Sequence, residues 1–225
     1  MLDGKKEAIA VGLLAMVSTT IVACSPQNNS VASQPKSNSK LKSVALTVGD
    51  LGNPFFVLMG RGAESEAKKI AGSAVRTTIV SSGYDLNQQF NQIENFIAAN
   101  TNLILLNAAD TAGIAPAVAA AKKAGITVIA LDTGADGGVD ATITSNNLQA
   151  GQISCQYIAS RLKGKGNVAI INGPPVMSVI QRVQGCKQIF AKYPGIKILS
   201  QDQNAEGSRD GGLRVMSDLL TSFKK

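Results

Sequence analysis

Short apolar runs alternating with amphipathic helical stretches constrain this chain more than any other feature. Residues 44–48, 75–80, 103–106 and 127–131 are rich in Val, Ile and Leu, the composition of parallel strands covered on both faces. Between them Phe56, Met59, Ala63, Ala67 and Ile70 step by three and four, as do Leu86, Phe90, Ile93 and Ile97, and then Ile114, Val118 and Ala121. Asn53 before Pro54 and Asp85 before Leu86 are helix-start choices, and Gly125 after Ala124 is a helix stop. A second series follows. A strand near 141–144 leads to a helix carrying Leu148, Cys155, Ile158 and Leu162. Strand 168–171 is followed by a helix with Val176, Ile180, Val183 and Phe190. Strand 196–199 is followed by a helix with Leu213, Met216, Leu220 and Phe223. This βαβα order predicts an α/β fold with right-handed crossovers and doubly wound parallel sheets. The glycine- and aspartate-rich stretch 132–140 reads as the junction between a first lobe at 41–140 and a second at 141–225. Two such lobes enclose a cleft.

Composition narrows the function. The apolar fraction of 44% over 225 residues is ample for a core. The net charge of +7 is spread along the chain without a basic stripe interleaved with aromatics, so it implies solubility and weak attraction to anionic surfaces, with no nucleic-acid partner. The chain has no His, the commonest general base and metal ligand. It has no Gly-x-Ser-x-Gly elbow, and Gly164-Lys165-Gly166 lacks the spacing and the following Ser or Thr of a phosphate-binding loop. The sequence therefore reads as a binding protein and not an enzyme, with no cofactor and no metal site.

The first 23 residues read as an export signal: Lys5 and Lys6 precede an apolar stretch over 8–23, shorter than the roughly 20 residues a permanent span needs. Ile21-Val22-Ala23-Cys24 resembles the bacterial lipobox, which would make Cys24 the lipidated N-terminus. Ser25 follows it, without the Asp that resembles an inner-membrane retention signal. Residues 24–40, almost devoid of large apolar side chains, read as a disordered tether. Cys155 and Cys186 each fall in a predicted helix. In an oxidising compartment they are compatible either with a disulfide between neighbouring helices or with two separately buried thiols.

Ligands of open α/β sheets bind beyond the carboxyl ends of the strands. Those ends offer Asn53, Phe55 and Phe56 after the first strand, Asn107 after the third and Asp132 after the fourth. In the second lobe Arg182 lies one turn into the helix after Asn172-Gly173-Pro174-Pro175. Phe rings pack on the C–H faces of a sugar ring, an amide both donates to and accepts from hydroxyls, and carboxylate and guanidinium complete a polar set for a polyol. Taken singly, either Phe could serve the core, Asn107 and Asp132 could cap turns, and Arg182 could be a solvated helix residue. Their shared location points to a site.

From about residue 43 onward the chain resembles the periplasmic sugar-binding proteins of the ribose-binding type, the substrate-binding components of bacterial ABC importers. The resemblance rests on Gly49-Asp50-Leu51-Gly52-Asn53-Pro54-Phe55-Phe56, Asn107-Ala108-Ala109-Asp110, Val128-Ile129-Ala130-Leu131-Asp132 and Arg182-Val183-Gln184-Gly185-Cys186. It implies the two-lobed type I periplasmic-binding-protein fold and sugar contacts from Asn53, Phe55, Phe56, Asn107, Asp132 and Arg182. It also implies capture of a small sugar by hinge closure and delivery to an ABC permease, from a lipid-anchored position outside the cytoplasmic membrane. A sugar sensor that presents its closed form to a chemoreceptor or signalling receptor shares this reading. Gly49 stands where a Ser often contacts the ligand, and Thr133 where an Arg often sits, which argues against ribose itself. The family continues past the helix ending near Phe223 with further strands of both lobes. A chain ending at Lys225 is thus expected to have an incomplete second lobe, marginal folding and weak or no sugar binding, the state of a truncated remnant.

Overall fold

The computed structural model describes residues 41–223. The expected signal segment, the lipidation site Cys24 and the tether lie outside these residues. The element order is β1 (Ser43–Val48), α1 (Pro54–Ala71), β2 (Arg76–Ser81), α2 (Leu86–Ala98), β3 (Leu103–Leu106), α3 (Ala115–Lys123), β4 (Thr127–Leu131), β5 (Ala141–Ile143), α4 (Asn147–Arg161), β6 (Lys165–Asn172), α5 (Met177–Phe190), β7 (Gly195–Asn204) and α6 (Arg209–Ser222).

Five parallel strands form the first sheet in the order β2-β1-β3-β4-β5. Side chains alternate across it, as strand geometry demands. Ala45, Ile104, Leu106, Val128 and Ala130 pack under α2 and α3 with Ile93, Phe96, Val118 and Ala121. Val44, Leu46 and Val48 face α1 through Ala67 and Phe56. Both faces of β1 and β3 are thus covered, and this explains their unbroken apolar runs. The helix starts follow local chemistry: Asn53 Oδ1 accepts from Phe55 N at 3.0 Å and Asp85 Oδ1 from Gln88 N at 2.8 Å. After α3, Gly125 takes the left-handed φ of 79° that a helix stop favours.

The lobe boundary differs from the expectation. Ala141–Ile143 does not open the second lobe; it pairs with β4 as the edge strand of the first sheet, with Ile129 opposite Ala141 and Leu131 opposite Ile143. The cause is the loop before it. Gly137, at φ 100°, lies so close to Ala115 that no Cβ would fit. The carboxylate of Asp140 accepts from Val128 N at 2.8 Å and pairs with Lys122. This loop therefore returns the chain alongside β4. The chain crosses to the second lobe after Ile143, before α4 begins at Asn147.

In the second lobe β6 and β7 pair in parallel. Helices α4 and α5 pack on one face with Cys155, Ala159, Cys186, Ile189, Phe190, Val168 and Ile170, while α6 meets Ile171 through Val215 and Leu219. The pair α4–α5 is unusually intimate. A Cβ on Gly151 would overlap the Arg182 carbonyl, and one on Gly185 the Leu148 carbonyl. One turn beyond Gly151, Cys155 is joined to Cys186 in a disulfide with Cα atoms 5.1 Å apart.

The last helix also corrects an expectation. Leu213, Met216, Leu220 and Phe223 are exposed, and the buried side of α6 is Gly211, Val215 and Leu219. Gly211 decides the face, because it packs its bare backbone against the Ala205 carbonyl. Any side chain there would hold the helix away from the sheet.

Candidate functional site

Asn53, Phe55, Phe56, Asn107, Asp132 and Arg182, drawn from the ends of three strands, the first turn of α1 and helix α5, line one cleft of about 350 Å³ at the carboxyl ends of the strands. That is the small end of the usual range for ligand sites. Larger hollows exist: one of about 740 Å³ lies at the opposite end of the first sheet near Asn100 and Gly125, and another of about 720 Å³ lies beside α5. Neither gathers residues of both lobes around a carboxylate, so the smaller cleft is the candidate.

The two Phe rings divide their work. Phe56 is 3% exposed and belongs to the core beside Leu46 and Val48, whereas Phe55 is 49% exposed. Their centroids are 5.1 Å apart in an edge-to-face pair, the favoured geometry for aromatic rings. One ring thus braces the other. Asn53 uses its oxygen to cap α1, and its Nδ2 has no hydrogen-bond partner among the described residues.

Asn107 is 2% exposed and its amide is turned inward. Its Oδ1 accepts from Gly49 N at 3.1 Å, while its Nδ2 donates to Leu131 O and to Asp132 Oδ2, each at 3.2 Å. With both amide hydrogens engaged, Asn107 acts on the cleft by positioning Asp132. Asp132 itself adopts a left-handed φ of 65°, a strained choice for a residue with a side chain. Its backbone is pinned on both sides: its N donates to Ile143 O at 2.8 Å, and its O accepts from Thr144 Oγ1 at 2.6 Å. Burial raises its carboxyl above the usual 3.8, against the opposing pull of the Arg182 charge and the Asn107 hydrogen bond.

Arg182 reaches the cleft from α5 and is steered by a residue that sequence reasoning missed. Its Nε donates to Asn147 Oδ1 at 2.9 Å, and Asn147 Nδ2 donates to Thr144 Oγ1 and Ser145 O, each at 3.0 Å. Asn147 is buried, one residue after Asn146, which caps α4 by accepting from Gln149 N. A continuous set of hydrogen bonds thus runs from Asp132 O through Thr144 and Asn147 to the guanidinium. No ion pair among the described residues engages Arg182.

A second cross-lobe device was equally invisible in sequence. The N-cap of α5 is Val176, which offers no side-chain acceptor. Two hydroxyls of the first lobe take over: Met177 N donates to Thr111 Oγ1 at 2.8 Å and Ser178 N to Thr133 Oγ1 at 3.3 Å. Among the described residues no group of three or more His, Cys, Asp or Glu is placed to hold a metal ion.

Comparison with known proteins identifies the family. A periplasmic binding protein domain matches residues 44–225. The ribose import binding protein of Bacillus subtilis (strain 168) is 30% identical over 218 residues, 96% of this chain and 69% of the relative. A xylitol-binding protein of Mycolicibacterium smegmatis is 30% identical over 85% of this chain and 54% of its own length. Among solved structures, an ABC transporter solute-binding protein of Bacillus halodurans C-125 with bound myo-inositol superposes with a TM-score of 0.73 at 27% identity. It covers 84% of this chain and 66% of that one. A solute-binding protein of Burkholderia graminis in complex with D-arabinose gives 0.73 at 28%, over 81% and 63%. The chain thus spans between about half and two thirds of the length of these relatives. With the matched domain, these relatives and the fold in agreement, the chain belongs to the periplasmic binding protein family, in its type I, sugar-binding branch.

Proposed function

We propose that this chain captures a small sugar or polyol between its lobes and hands it to an ABC permease, from a position outside the cytoplasmic membrane held by a lipid on Cys24. The observation that carries the reading is the convergence of Asp132 and Arg182 from opposite lobes on one cleft with Asn53 and the exposed face of Phe55. Asp132 accepts from adjacent hydroxyls, Arg182 donates to ring or hydroxyl oxygens, Asn53 Nδ2 donates, and Phe55 packs on the C–H face. Asn107 and Phe56 hold these groups in place. A ligand touching both lobes favours the closed arrangement over any other. No covalent step is required.

Isothermal titration of the chain with a panel of pentoses, hexoses and polyols tests this. One-site saturable binding is expected, in place of the weak or absent binding expected from the chain's length, because residues of both lobes line one cleft; at a hundredfold excess over Kd the ligand adds about 2.7 kcal/mol of stability. A cooperatively melting protein that binds no member of the panel would instead be a remnant without binding function.

The first turn of α5 supplies a test of closure. Thr133→Val keeps the shape but leaves Ser178 N without its acceptor. Loss of a helix cap costs about 1 kcal/mol. Because this cap joins the lobes, affinity is expected to fall about fivefold while the melting temperature of the ligand-free protein stays nearly constant. Equal losses in both would assign Thr133 to folding alone.

A further inference from the structure

Tyr84 lines the same cleft as Asp132 and Arg182. It follows β2 and holds a left-handed φ of 59°, uncommon for an aromatic residue. Asp132 shares that conformation, and strained backbone of this kind gathers where ligands are held. The turn is fixed by Tyr84 N, which donates to Gly49 O at 3.2 Å. The ring then occupies the place where a side chain on residue 49 would stand: Cζ, Cε1 and Cε2 all lie closer than 3 Å to the position of a Cβ there. It stands edge-to-face on Phe56, with centroids 6.4 Å apart. It meets the second lobe at Gly207, where the position of a Cβ lies 3.1–3.3 Å from Cε2, Cζ and Oη. Two bare backbones and one aromatic ring thus fix where the phenol oxygen stands.

No hydrogen bond among the described residues engages this hydroxyl. None of their fully buried side-chain N or O atoms lacks a partner, so Oη is open to the cleft and not sealed in the core. Burial pushes the phenol up to about 12, aided by the carboxylates of Asp132 and Asp50, and it stays a neutral donor at any working pH. Its neighbours leave that part unfilled. Ionised Asp132 only accepts, and Asn107 engages both amide hydrogens, with Leu131 O and with Asp132. A sugar hydroxyl that donates to Asp132 still has lone pairs to satisfy, and Tyr84 Oη is a first-lobe group free to donate to them.

We infer that Tyr84 is a further ligand-binding residue: its hydroxyl donates to a hydroxyl of the sugar or polyol that in turn donates to Asp132. This rests on the proposal that the cleft binds sugar.

Titration of the full chain with D-ribose, D-arabinose, xylitol and myo-inositol, and then with the monodeoxy derivatives of the tightest of them, reads the contact. Tyr84→Phe keeps the ring with its packing on Gly49, Phe56 and Gly207, and removes the oxygen alone. Affinity for the parent ligand is expected to fall about fivefold, the contribution of one neutral hydrogen bond. The melting temperature of the ligand-free protein should stay constant, because the hydroxyl has no protein partner to lose. One monodeoxy derivative, lacking the hydroxyl that Tyr84 addresses, should bind wild type and variant equally, and the others should keep the fivefold difference. A role confined to folding would move the melting temperature and leave no such pattern among the ligands. Equal affinity of both proteins for the parent, or the same loss for every derivative, would overturn the contact while leaving sugar binding intact. A wild type that binds no sugar overturns the contact together with the function it rests on.

Discussion

Asp132→Asn is expected to weaken sugar binding by about a hundredfold or more while making the ligand-free protein more stable. A carboxylate accepts from two neighbouring hydroxyls at once, and hydrogen bonds to a charged group contribute about 1.5–3 kcal/mol each; losing two of them exceeds two decades of affinity. Asn tolerates the left-handed backbone of this position as well as Asp does, so the variant removes the charge and leaves the turn. The stability gain follows from the direction of the carboxyl's shift. Burial raises Asp132 above 3.8 in the folded protein. Folding therefore opposes its ionisation, a cost absent below the unfolded value and fully present once pH has risen through the folded one. Asn does not pay it at neutral pH. Binding runs the other way, because the sugar needs the ionised form. Wild-type affinity should be flat at neutral pH and fall as pH drops through the raised value, whereas the variant's weak affinity should not change with pH. Titration calorimetry and melting curves across that range check both. An unchanged affinity would remove Asp132 from the ligand's contacts.

Such a trade of stability for function accounts for what the sequence could and could not convey. The strands and helix starts were legible because their causes are local: an unbroken apolar run predicts a strand covered twice, and Asn53 and Asp85 cap helices a few residues away. The cleft residues were legible through topology, since strand ends in an open sheet converge on one edge. The edge strand Ala141–Ile143 was not, because its partner is chosen by the Asp140 carboxylate gripping Val128 N across a glycine-rich loop that reads as a linker. Asn147 sits in an Asn pair whose first member caps α4, and nothing nearby marks the second as the partner of Arg182, 35 residues on. The capping of α5 by Thr111 and Thr133 spans still larger separations. Tyr84, which also lines the cleft, was hidden for the same reason: its ring packs between Gly49 and Gly207, from different lobes. What remained unread in each case is a contact made only after the chain has folded back on itself.

The disulfide is the other place where one change should have a large effect, and on a different quantity. Closing a loop of 31 residues restricts the unfolded chain by about 3.7 kcal/mol in the chain-entropy account, so Cys155→Ser with Cys186→Ser is expected to lower the melting temperature by about 10 °C. Reductant added to the wild type should do the same. Affinity should suffer much less, under tenfold, because two features keep Arg182 in place without the bridge. One is its bond from Nε to Asn147; the other is the close approach of α4 and α5 at Gly151 and Gly185. Gly151→Ala should show the opposite signature. Its methyl meets the backbone of Arg182 itself, so the helices must part at the residue that carries the guanidinium, and affinity should fall at least as steeply as stability. Thermal melts and titrations on the same three proteins separate the cases. If the bridge variants lose sugar binding as completely as Gly151→Ala does, the disulfide and not the glycine contact orients Arg182, and the binding state of the protein would then follow its oxidation.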